Sequence, residues 1–234
     1  DLLPAVFSEA IAAVEIPRAM AWDQSGFKFF RPVRWLLALW GNRCVPLVLG
    51  DVAAAKKTRG NRLLHPKQFS VKGYDDYFAA LKKRSVVLDP SDRAAMVRSL
   101  CAAALLPGES LDTEARDAVV NLVEYPAVLR CDLASDAEKI PQEVVRIVIA
   151  NAKGISLWRN GHLGKQFLVV TDGSTTDTCR ANYERLLYAR ILDADFFYRT
   201  DLARPFSEFG DKLNSLLFHP RWGSVADRVA RLRA

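Results

Sequence analysis

RANYERLLYARILDADFFYRTD, residues 180–201, is the longest run in the chain whose apolar residues keep helical spacing with no glycine or proline to interrupt it. Leu187, Ile191, Ala194 and Tyr198 follow one another at steps of four, three and four, and Tyr183, Leu186 and Phe197 widen the stripe. That is the pattern of a helix burying one face. Arg180 with Glu184, and Asp195 with Arg199, stand four residues apart, so the outer surface is expected to carry ion pairs worth about 0.2–0.5 kcal/mol each.

Working outward, residues 141–150 open on Pro141 and Glu143 as a further helix, and 127–131 and 167–170 are short apolar strands. Trp158-Arg-Asn-Gly161-His162 is a turn between two strands, asparagine and glycine being tolerant of positive φ. Upstream, Asp89-Pro90 starts a helix that runs to Leu105 and is broken by Pro107-Gly108. Residues 112–123 are expected to form one helix, 86–88 a buried strand, 69–72 a strand and 74–83 a helix with acids first and bases last. Residues 2–14 are a first helix stopped by Pro17, and 33–40 and 44–49 pair as strands across Gly41-Asn42. Downstream, residues 205–218 are expected to be helical.

With 234 residues, 50% hydrophobic and 26% charged, the chain can bury a sizeable core and is not of disordered composition. Its apolar runs, such as residues 35–40, are far below the roughly 20 residues that cross a bilayer, so no membrane partner is expected. Net charge is +6 and the pI about 9.2, an excess that attracts polyanions and makes nucleic acid a reasonable partner. The basic residues read as scattered, with short concentrations at 56–59, 82–84 and 228–233. Cys44, Cys101, Cys131 and Cys179 lack CxxC spacing and His65, His162 and His219 are dispersed, which reads as lone intracellular thiols and no metal site. No Walker motif, glycine-rich nucleotide loop, nucleophile elbow or zinc spacing occurs. Asp1-Leu-Leu-Pro4 does not read as a charged leader or a transit segment, and Arg231-Leu-Arg-Ala234 stops within a helical pattern, so the chain is expected to be a portion of something longer.

Residues 52–66 read as a polar loop holding Thr58-Arg59-Gly60-Asn61-Arg62-Leu63. Two arginines around a glycine can grip phosphate, since guanidinium forks match phosphate oxygens and glycine admits close backbone approach. Equally, Arg59 and Arg62 can fix the loop to the body through internal carboxylates. Lys56, Lys57, Arg59 and Arg62 are the candidate RNA contacts; Arg31 and Arg34 read as solvated strand ends. Glu124 stands without a titratable neighbour in sequence and reads as a capping or pairing carboxylate rather than a general base.

Several of these segments, in order, resemble the β subunit of the bacterial-type, two-subunit glycyl-tRNA synthetase. Met20-Ala-Trp22 with Phe27 to Trp35 is similar to that family's M-W and RF-RP-RW order. The Thr58–Leu63 run resembles T-R-G-H-R-F with asparagine for histidine and leucine for phenylalanine. Asn121-Leu-Val-Glu124-Tyr-Pro126 resembles NLVE-P, residues 182–198 resemble GNE-R-VL-AR-xDA-FFY, and Phe218 with Gly223-Ser224 resembles the family's F-x-x-x-L-G-S. One departure stands out: where the family has M-x-x-H-Q-x-Y-F, this chain has Ile149-Ala-Asn-Ala152-Lys153-Gly154-Ile155-Ser156.

The resemblance implies an α+β fold: a mixed or antiparallel sheet body with packed helices over 1–178, then a C-terminal helical segment over 179–234 leading toward a further helical domain. It implies a noncatalytic, tRNA-handling portion of a glycine-tRNA ligase, partnered by tRNA and by an α subunit that carries the active site with ATP and Mg²⁺; no cofactor is expected in this chain. The lost polar and aromatic residues keep open a second expectation, a degenerate relative serving as a structural or RNA-associated component of a larger assembly such as an organellar ribonucleoprotein. Bacterial cytoplasm and a plastid or mitochondrial matrix are the matching compartments.

Overall fold

The computed structural model describes residues 2–233. Its N-terminal part runs α1 (Leu3–Ala12), then β1 (Met20–Ala21), β2 (Lys28–Phe29), β3 (Leu39–Trp40), β4 (Arg43–Cys44), β5 (Val48–Leu49) and β6 (Val52–Ala53). These strands pair two by two as short antiparallel ladders. Ala38, Val45, Leu47 and Leu49 form a small core there, covered by Leu3, Phe7 and Ile11 of α1. The expected pairing of 33–40 with 44–49 shrinks to Leu39–Trp40 against Arg43–Cys44. Pro46 has no N–H to continue the ladder, and Val48–Leu49 turns instead to pair with Val52–Ala53.

The chain continues through β7 (Lys57–Arg59) and β8 (Gln68–Ser70), which form an antiparallel ribbon, so residues 57–59 are strand and not loop. Then follow α2 (Tyr74–Lys82), α3 (Pro90–Ala103), β9 (Glu109–Leu111) and α4 (Thr113–Ala118). Two expectations fail here. Residues 86–88 form no strand: the Val87 and Leu88 carbonyls accept from the Arg93 guanidinium at 2.8 Å each, and the Val87 N–H donates to the Glu124 carbonyl. Residues 112–123 are not one helix either, because α4 stops at Ala118 and a 3₁₀ turn, Val120–Leu122, takes over, with Arg93 holding the Asn121 side chain at 2.8 Å.

The main sheet comprises β9, β10 (Pro126–Asp132), β11 (Gly154–Arg159) and β12 (His162–Asp172), in the order β10-β12-β11-β9 and antiparallel throughout. Asn160 and Gly161, at φ 51° and 79°, make the tight turn whose twist matches the strands it joins. Phe167-Leu168-Val169-Val170 is buried on both sides, and alternate residues explain how. Phe167 and Val169, with Leu129 and Cys131, face α5 (Gln142–Asn151) and α6 (Asp177–Leu202), meeting Val145, Ile149, Leu187 and Ile191. Leu168 and Val170, with Ile155 and Leu157, face the other way onto Val97 and Cys101 of α3 and Val119 and Val120 beyond α4. The sheet is thus the middle of three layers, and fully burying each such aliphatic side chain contributes about 1.5–3 kcal/mol.

Polar staples close this body. Arg130 on β10 reaches Glu109 on β9 with two hydrogen bonds of 2.6 and 2.8 Å and also donates to Gln166 and the Ala104 carbonyl. Asp172 accepts the backbone N–H groups of Glu124 and Tyr125 at 3.0 and 2.8 Å. Partial burial, then the Asp172 charge, push the Glu124 carboxyl above its ordinary range. Burial pushes the Cys101 and Cys131 thiols to about 11 and about 12, so both are inert packing groups.

Helix α6 starts at its Thr176 cap, whose hydroxyl accepts the Cys179 N–H. Leu187 and Ile191 are buried and Tyr183, Ala194 and Tyr198 pack beside them, but Leu186 and Phe197 are 46% and 62% exposed. Asp195 and Arg199 pair at 2.7 Å. Glu184 does not meet Arg180; its carboxylate accepts the Asp132 backbone N–H at 2.9 Å. The chain ends in α7 (Phe206–Asp211), β13 (Leu217–His219), β14 (Gly223–Ser224) and α8 (Val225–Arg233). The expected helix over 205–218 therefore breaks. Asn214 and Ser215 side chains bond the Asp211 and Lys212 carbonyls, competing with helix continuation, and Phe218 lies in a hairpin. No helix among the described residues is long and apolar enough to cross a membrane.

Candidate nucleic-acid interface

The β7–β8 ribbon carries the candidate RNA contacts, and strand alternation sorts them. Thr58 is 4% exposed and turned inward, while Lys57 and Arg59 on either side of it are exposed. Asn61 is fully buried, and its side-chain oxygen accepts the Leu63 and Leu64 N–H groups at 3.0 Å each. This tight turn swings Arg62 back to the surface.

The four residues do not share one role. Arg59 donates to the Pro66 carbonyl at 2.9 Å and lies 5.8 Å from the Trp35 ring centre, so it braces the loop through a carbonyl and an aromatic face rather than a carboxylate. Lys56 donates to the Asn42 carbonyl. Among the described residues, neither the Lys57 nor the Arg62 side chain has a hydrogen-bond or ion-pair partner, and both residues are exposed. Gly60 serves packing: a Cβ there would sit 2.5 Å from the Arg84 Cβ and 2.8 Å from the Arg84 carbonyl oxygen. Arg31 and Arg34 are exposed.

That contact with Arg84 joins two stretches that are separate in the sequence. The Asn61 N–H donates to the Arg84 carbonyl at 2.9 Å, which docks the C-terminal end of α2, with Lys82 and Lys83 exposed, against the ribbon turn. The Arg84 guanidinium stacks 4.0 Å above the Phe69 ring on β8. Leu64, His65, Lys67, Phe69 and Arg84 line a shallow concavity of about 390 Å³ beside it.

Counted over this unit, the charge is concentrated. Residues 56–84 hold nine basic and two acidic side chains, a surplus of seven, against six for the whole chain. The remaining residues are close to neutral, so the scattered reading of the basic residues is corrected: a window count across the ribbon and helix finds what short clusters hid. Cation–aromatic pairs set within a basic surface suit a phosphate backbone with accessible bases.

The diverged segment 149–156 lies elsewhere, at the end of α5 and the start of β11. Ile149, Gly154, Ile155 and Ser156 are buried while Asn151 and Lys153 between them are exposed, so the two ends of this stretch are core and its middle is surface. A Cβ on Gly154 would meet the Ile149 side chain at 2.8 Å. Among the described residues no three His, Cys, Asp or Glu side chains converge as metal ligands.

Comparison with known proteins gives the family. The family model described as glycyl-tRNA synthetase beta subunit matches residues 1–234. The chain belongs to that family. It is similar to the glycine–tRNA ligase beta subunit of Clostridioides difficile, 32% identical over 99% of this chain and 35% of that protein. The beta subunits of Lactobacillus gasseri and Xanthomonas campestris are each 34% identical, over 96% and 100% of this chain and 34% of each relative. The chain thus spans about a third of the length of the β subunits it matches.

Proposed function

We propose that this part of a glycyl-tRNA synthetase β subunit holds tRNA by its phosphate backbone and performs no chemical step itself, the ATP- and Mg²⁺-dependent activation of glycine residing in the α subunit. The observation that carries the reading is the concentration of the chain's whole positive surplus on residues 56–84, with Lys57 and Arg62 unengaged. Phosphate contacts of this kind position a nucleic acid without reading its sequence. The surface therefore serves affinity, and other parts of the ligase serve identity.

The test is glycylation by the reconstituted two-subunit ligase. Lys57→Ala with Arg62→Ala in β is expected to raise KM for tRNA several-fold while leaving KM for glycine and the rate of glycyl-adenylate formation unchanged, because only uniform tRNA binding is removed. An unchanged KM for tRNA contradicts the reading.

A second reading has its own observation, the burial of the apolar Ile149 and Ile155 in a stretch, 149–156, that lacks the polar and aromatic residues of the resemblance: a relative retained as an RNA-associated component of a larger assembly. Purification of the native protein separates the two, since an α-type synthetase subunit as stoichiometric companion supports the ligase and a ribonucleoprotein particle supports the other.

A further inference from the structure

Helix α6 is apolar on two sides. Leu187, Ile191, Ala194 and Tyr198 look into the sheet, whereas Ala189, Leu192 and Phe196 recur at steps of three and four. At 3.6 residues per turn that second stripe falls on the side opposite the first. Its large members are open, Leu192 at 41% and Phe196 at 64% exposure. A helix with apolar residues on both faces belongs in an interior, buried twice. The chain that follows has the same need. No residue of 203–233 is buried, and Phe206, Leu217, Trp222 and Leu232 are 91%, 71%, 61% and 76% exposed. That unit is held by surface contacts such as the Phe218–Trp222 stack and Arg228 over Phe218. Contacts like these do not offset an ordering cost of about 1–2 kcal/mol per residue.

We infer that the outer stripe of α6 and the 206–232 unit form one docking face, covered by the remainder of the same β-subunit polypeptide. The matched stretch is only 34–35% of the relatives' length, so about two-thirds of such a subunit is available to cover it. Exposed aromatic and aliphatic side chains in this number, Phe196, Phe206, Leu217, Trp222 and Leu232 among them, have the apolar character of permanent rather than transient interfaces. A covering segment on the same chain is present at an effective concentration of about millimolar without assembly. A separate subunit would leave the face bare during synthesis, as an aggregation site. The inference rests on family membership and is independent of whether residues 56–84 bind RNA.

The experiment is thiol accessibility in the complete β subunit, without α subunit. Phe196→Cys is treated with N-ethylmaleimide and the modified peptide quantified by mass spectrometry, with Glu114→Cys, at a side chain 91% exposed here, as the open control. Accessibility governs thiol modification, so Phe196→Cys is expected to react about tenfold or more slowly than the control, at every protein concentration. Leu192→Cys, a smaller loss of volume, is measured alongside and decides the matter where Phe196→Cys does not fold. Reaction as fast as the control in β alone overturns the inference. So does protection that appears only on adding α subunit, or that vanishes on dilution, which would assign the face to α or to a second copy.

Discussion

Gly60 leaves no space for a side chain against Arg84, so Gly60→Ala is expected to destabilise the protein by about 1–3 kcal/mol through overpacking and to loosen the docking of α2 on the ribbon, measured by urea unfolding. The Glu109–Arg130 pair makes a pH prediction. Hydrogen bonds from Arg130 first, then the Leu106 N–H, outweigh burial and hold the Glu109 carboxyl at about 2, below its ordinary 4.5. A depressed carboxyl contributes stability fully above its unfolded value and loses it as pH falls through the folded one. Stability is therefore expected to drop between pH 4.5 and 2, and Glu109→Gln to flatten that drop while costing about 1.5–3 kcal/mol at pH 7, as loss of a charged hydrogen bond does. An unaltered acid limb in chemical denaturation would contradict this. At this scale little was legible in the sequence. Glu109 and Arg130 stand on the two edge strands of the sheet and their side chains meet only once it has formed. Arg59 has the residue type of a phosphate ligand, yet its partner is the Pro66 carbonyl, which no pattern of side chains reveals.

Helix α6 shows what periodicity does and does not report. The spacing of Leu187, Ile191, Ala194 and Tyr198 was enough to name the buried face, and Ile191→Ala is expected to cost about 2–5 kcal/mol, read as a shift in the thermal or urea midpoint. Thr176→Ala should cost about 0.5–2 kcal/mol by uncapping the helix. Leu186 and Phe197, assigned to that face from spacing, lie on its rim because the stripe that meets the sheet is narrower than the apolar arc of the helix. The hairpin at Asn160-Gly161 was legible from turn chemistry alone. Failures cluster where one residue interrupts an otherwise regular pattern: Pro46 in the N-terminal ladders, and Asn214 and Ser215 with carbonyl-seeking side chains beyond α7. Residues 86–88 look like a strand by composition but have an arginine for a partner, and only tertiary structure supplies it.

Over the whole molecule the α+β architecture was readable from the order of elements, while the three-layer arrangement was not, since the run Phe167–Val170 reports burial without reporting what lies on each side. Positive charge was visible as a total, and its distribution was legible as well, since residues 56–84 are contiguous and carry a surplus that short clusters hide. Residues 56–84 carry a surplus of seven while the rest of the chain sums to about zero, and a basic segment of that kind binds a polyanion by releasing counterions. The most direct measurement is the salt dependence of tRNA binding by the complete β subunit, wild type against Lys57→Ala with Arg62→Ala. Two phosphate contacts removed should weaken binding and reduce the slope of log Kd against log salt by about one unit per residue. A slope and affinity equal to wild type would show that this surface does not hold the RNA.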